Sequence, residues 1–194
     1  LNLFFWNPMK KMNRALLAII AIFLFVISYA LDEKMSFFLK NIKYPILDMP
    51  LSIITNFAVV VIVMLLLPSV ILYKNDKKAV YTLLLTFFVS LILAFAIKLI
   101  AARERPIEAF TFPFTNIVNY SFPSMHSMAV FSLLPLLISY LPKQKIFLAA
   151  FAILVSFSRI YFGFHFLSDV VFGMILGYFT GRYMLNLHEK GTLW

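Results

Sequence analysis

Between Lys98 and Asp169 the sequence gathers, in three short segments, groups suited to handling a phosphate. The first segment is Lys98-Leu-Ile-Ala-Ala-Arg-Glu-Arg105-Pro106. Alone it also reads as a snorkelling lysine followed by a basic loop. The second, Phe122-Pro123-Ser124-Met125-His126-Ser127, has the form of a helix start. Ser124 suits the N-cap, and the backbone N–H groups of Met125, His126 and Ser127 then lack intrahelical partners at the positive end of the helix, where they can hold an anion. An ordinary capped helix with an interfacial histidine has the same sequence. The third segment runs Ser158-Arg159-Ile-Tyr-Phe-Gly-Phe-His165-Phe-Leu-Ser-Asp169. If it is helical, His165 and Asp169 are four residues apart on one face, so the carboxylate can accept one imidazole N–H and leave the other ring nitrogen as nucleophile or base. Arg159 reaches the same place after a turn at Gly163. A structural Arg159–Asp169 ion pair, or a divalent ion held by His165 and Asp169, are the competing readings of this segment. Cations and amide donors for the equatorial oxygens, a nucleophile and an acid for the leaving oxygen form the inventory that phosphoryl transfer requires.

The elements that must position these groups are membrane helices. The chain has 194 residues, 63% hydrophobic and 13% charged, with 23 Phe; a soluble domain carries about 25% charge. Mean hydropathy is +0.95. A soluble globular protein is excluded, and at about 20 residues per crossing the chain holds about six spans and no second domain. The expectation is therefore one domain, 1–194, all-α, with the chemistry within 98–169. The spans are predicted at Arg14–Leu31, Leu51–Tyr73, Ala79–Ala102, His126–Leu141, Lys145–Tyr161 and His165–Leu185. These runs do not alternate in polarity as barrel strands do. Pro68 and Pro135 should kink their spans locally. The first span follows Lys10, Lys11 and Arg14 as a signal peptide would, but at about 18 apolar residues it is too long for one and is expected to be retained. Leu1–Pro8, with Phe4, Phe5 and Trp6, suits an interfacial anchor. Asp32–Pro50 reads as an amphipathic stretch lying on the membrane. The absence of cysteine removes disulfides, thiolate metal sites and cysteine nucleophiles. The net charge of +9 is scattered, which argues against nucleic acid and for a membrane boundary or an anionic ligand.

The basic residues orient the spans. Lys10, Lys11, Arg14, Lys74, Lys77, Lys78, Lys143, Lys145, Arg182 and Lys190, ten of seventeen, fall on the side of the termini, which should be cytoplasmic. Lys34, Lys40, Lys43, Lys98, Arg103, Arg105 and Arg159 fall opposite, offset in part by acids. With six crossings, all three segments meet on that outer face.

Taken in order, Lys98-x6-Arg105-Pro106, Pro123-Ser124-Met125-His126 and Ser158-Arg159-x5-His165-x3-Asp169 resemble the three-part signature of the type 2 phosphatidic acid phosphatase (PAP2) superfamily, integral-membrane lipid phosphate phosphatases of six spans. The resemblance implies that His165 attacks phosphorus to form a phosphohistidine, that Asp169 raises its nucleophilicity, and that His126 protonates the leaving oxygen. It assigns Lys98, Arg105, Ser124, Arg159 and the Met125 backbone N–H to the phosphate, with no cofactor or metal and a lipid phosphate in the bilayer as partner. The family usually has glycine where Met125 stands, so a greasier or narrower pocket is expected. Aromatic residues Phe110, Phe112, Phe114 and Tyr120, in the Ile107–Phe122 loop, should border the headgroup. The competing function is a non-catalytic binder or transporter of anionic headgroups, for which the His165/Asp169 pair would be superfluous. Localisation in a bacterial inner membrane with an outward-facing site is the corresponding expectation.

Overall fold

The structure is a computed structural model that describes residues 14–41, 44–106 and 120–193. The Leu1–Pro8 anchor and the aromatic positions 110, 112 and 114 of the headgroup loop lie outside these residues. The described part is helical, with no strand: α1 (Arg14–Ala30), α2 (Asp32–Asn41), α3 (Pro45–Thr55), α4 (Phe57–Val61), α5 (Leu67–Tyr73), α6 (Lys77–Ala101), α7 (Met125–Tyr140), α8 (Lys145–Tyr161) and α9 (Leu167–Glu189). Two stretches, Lys77–Ala101 and Pro142–Tyr161, are long and apolar enough to cross a bilayer, or up to four if each of two bent pairs is one path. This is the build of an integral membrane protein.

The two bent pairs differ from the smooth spans expected. α1 and α2 meet at 55°, and α3 meets the α4–α5 arm at 56°. The predicted second span is therefore not one helix. Asn56 leaves the helical region (φ −60°, ψ 125°), and its side chain accepts the Ala58 N–H, capping a new helix in mid-span. The Asp32–Pro50 stretch is divided between α2 and the first turns of α3. Pro68 stands in the first turn of α5, directly after a π-helical turn at Ile62–Leu66. A residue without an N–H cannot keep the regular ladder, and the wider turn absorbs the irregularity. α7 passes through Pro135 without a break.

The core lies between α4–α9, where Met64, Leu83, Met128, Leu133, Leu136, Leu137 and Val155 are buried. Its closest seam joins α7 to α9 through three glycines spaced by four. A Cβ on Gly173 would lie 2.8 Å from the Ser124 carbonyl oxygen, on Gly177 2.5 Å from that of Met128, and on Gly181 2.0 Å from that of Ser132. Backbone meets backbone there, the small-residue seam of membrane helices. By contrast α1 turns Ile19, Ile22 and Phe23 outward. It is held at its far end by Phe25, whose ring meets those of Phe122 and Phe172 at 6.1 and 5.6 Å.

Candidate active site

The ends of α6, α7, α8 and α9 converge as the three sequence segments require. α6 ends at Ala102, whose left-handed backbone (φ 43°) turns the chain so that Arg103 and Arg105 point back over the bundle end. Lys98, one turn earlier, is 2% exposed, and its Nζ donates to the carbonyls of Tyr120 and Ser121. Ser121 in turn donates its N–H to the Arg103 carbonyl at 2.7 Å and its hydroxyl to the Glu104 carbonyl at 2.8 Å. The chain entering α7 is thereby stitched to the chain leaving α6.

Ser124 caps α7 as the sequence indicates: its Oγ accepts the Ser127 hydroxyl at 3.0 Å and, at 3.5 Å, the Ser127 N–H. Accepting both leaves its own proton to donate elsewhere. Its N–H reaches the Asp169 carbonyl at 3.1 Å, an approach that the bare Cα of Gly173 permits. Met125 and His126 follow in the first turn, both half-buried. The His126 ring stands edge-on to Phe57 at 5.1 Å, beside the Thr55 backbone.

α8 ends in the predicted turn at Gly163 (φ 71°). The Arg159 carbonyl accepts N–H groups from both Phe164 and His165, at 3.1 and 3.2 Å. Its guanidinium, buried, donates to Thr55 Oγ1 at 2.8 Å and lies 4.5 Å over the Phe164 ring, while its Nε has no hydrogen-bond partner. Arg105 donates to the Phe164 carbonyl at 2.8 Å. His165 is 3% exposed. Arg159, Arg105 and Lys98 all face it. In its neutral form an imidazole amid three cations retains the lone pair a nucleophile needs.

One expectation and one competing reading require correction. His165 and Asp169 do not share a helical face. His165 precedes α9 in the turn, Phe166 is the N-cap, and Asp169 in the first turn reaches back to accept the Phe166 N–H at 2.8 Å. Asp169 Oδ2 thus lies 3.6 Å from His165 Nδ1, and that buried ring nitrogen has no hydrogen-bond partner. Nor does Arg159 pair with Asp169. The carboxylate's other oxygen takes Arg103, at 2.8 Å, and Arg159 is committed to Thr55.

Arg103, Asp32, Thr55 and Ser121 are not singled out by any motif. Asp32 stands just beyond the first apolar run and Thr55 inside the second, places where a polar residue at membrane depth points to a partner. Among the described residues no group of three or more His, Cys, Asp or Glu side chains is placed to hold a metal ion.

Residues 78–192 match the PAP2 superfamily. The chain belongs to that family. Among curated proteins it is similar to an undecaprenyl-diphosphatase of Sulfolobus acidocaldarius, 29% identical over 63% of this chain and 62% of the relative. It is also similar to phosphatidylglycerophosphatase B of Bacillus subtilis, 32% identical over 56% and 57%. The matches therefore span about three-fifths of each relative. In fold this PAP2 member is similar to the crystal structure of a transmembrane PAP2-type phosphatidylglycerolphosphate phosphatase from Bacillus subtilis. That likeness has a TM-score of 0.72 and 24% identity, covering 91% of this chain and 96% of that one. Aquifex aeolicus LpxE is a second structural neighbour, with TM-score 0.63 and 24% identity over 80% and 95%.

Proposed function

We propose that this PAP2 protein is a metal-independent lipid phosphatase that removes phosphate from a lipid phosphate or pyrophosphate at the outer face of a bacterial-type inner membrane. The observation that carries the reading is the buried His165 ring faced by Lys98, Arg105 and Arg159 at the mouth formed by the α7 N-terminus. His165 Nε2 attacks phosphorus as the bond to the lipid oxygen breaks. His126 gives that oxygen a proton. Water then attacks the phosphohistidine, yields a proton to His126 and frees phosphate. Asp169 faces Nδ1 and stabilises the charge that develops on the ring. Lys98, Arg105, Arg159, the Ser124 hydroxyl and the Met125 N–H neutralise the equatorial oxygens, the dominant contribution in such reactions.

The relatives' names support lipid substrates such as undecaprenyl pyrophosphate or phosphatidylglycerol phosphate; phosphatidic acid and lipid A 1-phosphate complete the set. Six crossings with cytoplasmic termini, α1 with α2 and α3 with α4–α5 each counted as one path, put the site outside. Purified protein is given this panel of lipids and a soluble phosphomonoester. The expected result is phosphate release from lipids, insensitive to EDTA and inhibited by vanadate. Binding of the lipids without phosphate release would establish a headgroup binder or transporter instead. For orientation, a cysteine at Asn41 should react with an impermeant reagent in intact cells and one at Asn75 should not.

A further inference from the structure

Asp32 is the least expected charge in the molecule. It stands at the break between α1 and α2, beyond the family match, and is 3% exposed. Both of its oxygens are engaged: Oδ1 accepts the Ser168 N–H at 2.8 Å, and Oδ2 accepts the Ser168 hydroxyl at 2.5 Å and an Arg103 N–H at 2.8 Å. Arg103 is a fork between two carboxylates. One nitrogen goes to Asp32, the other to Asp169 Oδ1 at 2.8 Å and Ser168 Oγ at 2.7 Å. The Phe166 ring lies 4.0 Å beneath the guanidinium, and Tyr29 lies 5.4 Å away. Planar, bidentate and stacked, this is a place for arginine and not lysine.

The consequence falls on His165. Asp169 is held at Oδ1 by Arg103 and at Oδ2 by the Phe166 N–H, and it stops 3.6 Å short of the histidine. We propose that Asp32 and Arg103 are positioning residues for the nucleophile: Arg103 divides its guanidinium between Asp32 and Asp169, and the share taken by Asp32 sets how strongly Asp169 is available to His165. The inference rests on the phosphatase reading above. It makes the N-terminal helix pair a working part of the site, where the superfamily match alone makes it an appendage.

The charged and titratable groups that face His165 are Lys98 from α6, Arg105 from the following connection, His126 from α7, Arg159 from α8 and Asp169 from α9. Asp32 and Arg103 stand one step behind Asp169. Removing the Asp32 charge by Asp32→Asn, which keeps the shape, leaves Arg103 wholly to Asp169. The carboxylate then supports a positive imidazole less, and protonation of His165 becomes harder. Arg103→Gln frees Asp169 and makes protonation easier. Each should lower kcat/KM at neutral pH by about 10- to 100-fold, the usual effect of losing a partner behind a working residue. The acid limb of the kcat/KM profile should move in opposite directions, to lower pH in Asp32→Asn and to higher pH in Arg103→Gln. Arg103→Lys should return the limb toward the wild-type position without restoring the rate, because an ammonium supplies the charge but not the fork.

The measurement pairs pH–rate profiles with histidine ring titration by NMR on the same detergent-solubilised proteins, the His165 signal being assigned by its loss in His165→Ala. Opposite displacement of limb and ring titration supports the proposal. Losses of rate with the limb fixed, displacement in one direction for both variants, or unchanged rates overturn it. Wild-type protein that releases no phosphate would remove the phosphatase reading alone, and the two ring titrations would then decide the positioning network by themselves.

Discussion

The two halves of the molecule are built on different terms. From α6 to α9 each helix runs unbroken, and α7 and α9 are pressed backbone to backbone along the glycine seam. From α1 to α5 the paths are broken, bent and largely exposed on their apolar faces. Yet each interruption in the first half delivers a polar group to the second. The α1–α2 break delivers Asp32 to Arg103, the start of α3 delivers Asp48 to the Tyr161 hydroxyl at 2.7 Å, and the α3–α4 break delivers Thr55 to Arg159. A continuous helix has its backbone groups satisfied and its side chains committed to a lateral face. A broken one offers a turn's worth of freedom at a chosen depth. On the proposed reading, one half holds the reacting groups and the other adjusts them.

The largest test of that division is His165→Ala. If the reacting group belongs to the second half, turnover should fall at least about 10³-fold, because the group that forms the bond to phosphorus is lost, while the thermal transition is retained. Residual activity well above that level would move the chemistry elsewhere. Next comes the seam. Gly181→Ala places a carbon 2.0 Å from the Ser132 carbonyl, so α7 and α9 must part. Overpacking typically costs about 1–3 kcal/mol, and in a chain of this size the midpoint should drop by roughly 2 to 12 °C. Ile22→Ala on the 64%-exposed face of α1 should leave the midpoint within a degree or two. Equal effects at the two sites would abolish the contrast.

How much of this is legible in the sequence depends on the reach of the interaction. The three phosphate segments can be read because each is local, a few residues with recognisable chemistry, and helices carry them to one end whatever the details between. The Ser124 cap and the Gly163 turn are of that kind. Arg103 cannot be assigned in that way, because its partners lie 71 and 66 residues away and only the fold brings them together. The break at Asn56 leaves a trace in the sequence, a capping residue within an apolar run, but hydropathy averages over such a signal. The Gly173, Gly177 and Gly181 spacing is equally open to inspection and carries its meaning only beside the small residues of α7.

A finer test is Thr55→Val, which keeps the shape and removes the acceptor of a buried guanidinium. A hydrogen bond to a charged group contributes about 1.5–3 kcal/mol. kcat/KM should fall about 10- to 100-fold, with the midpoint lower by roughly 3 to 12 °C; an unchanged kcat/KM would mean that the first half does not adjust the second through Arg159. The smallest expected effect is at the turn that follows α6. Ala102 holds a left-handed conformation that disfavours any side chain by about 1–2 kcal/mol, so Ala102→Gly relieves strain while adding freedom to the unfolded chain. Denaturant or thermal unfolding should show a gain of up to about 1 kcal/mol, and a loss would mean that the turn is held by something other than its backbone.

Arg159 serves His165 twice, through a guanidinium and through a carbonyl that accepts the N–H groups of both Phe164 and His165. Every amino acid has that carbonyl. An alanine scan will therefore register the lost guanidinium, remain blind to the other half, and understate what this position contributes. The hidden half is open to chemical synthesis: replacing the Phe164–His165 amide by an ester deletes one donor to the Arg159 oxygen and leaves every side chain in place. Activity lost by that exchange, at a site where no side chain has changed, would measure how much of the site's accuracy is written in the main chain and therefore invisible to genetics.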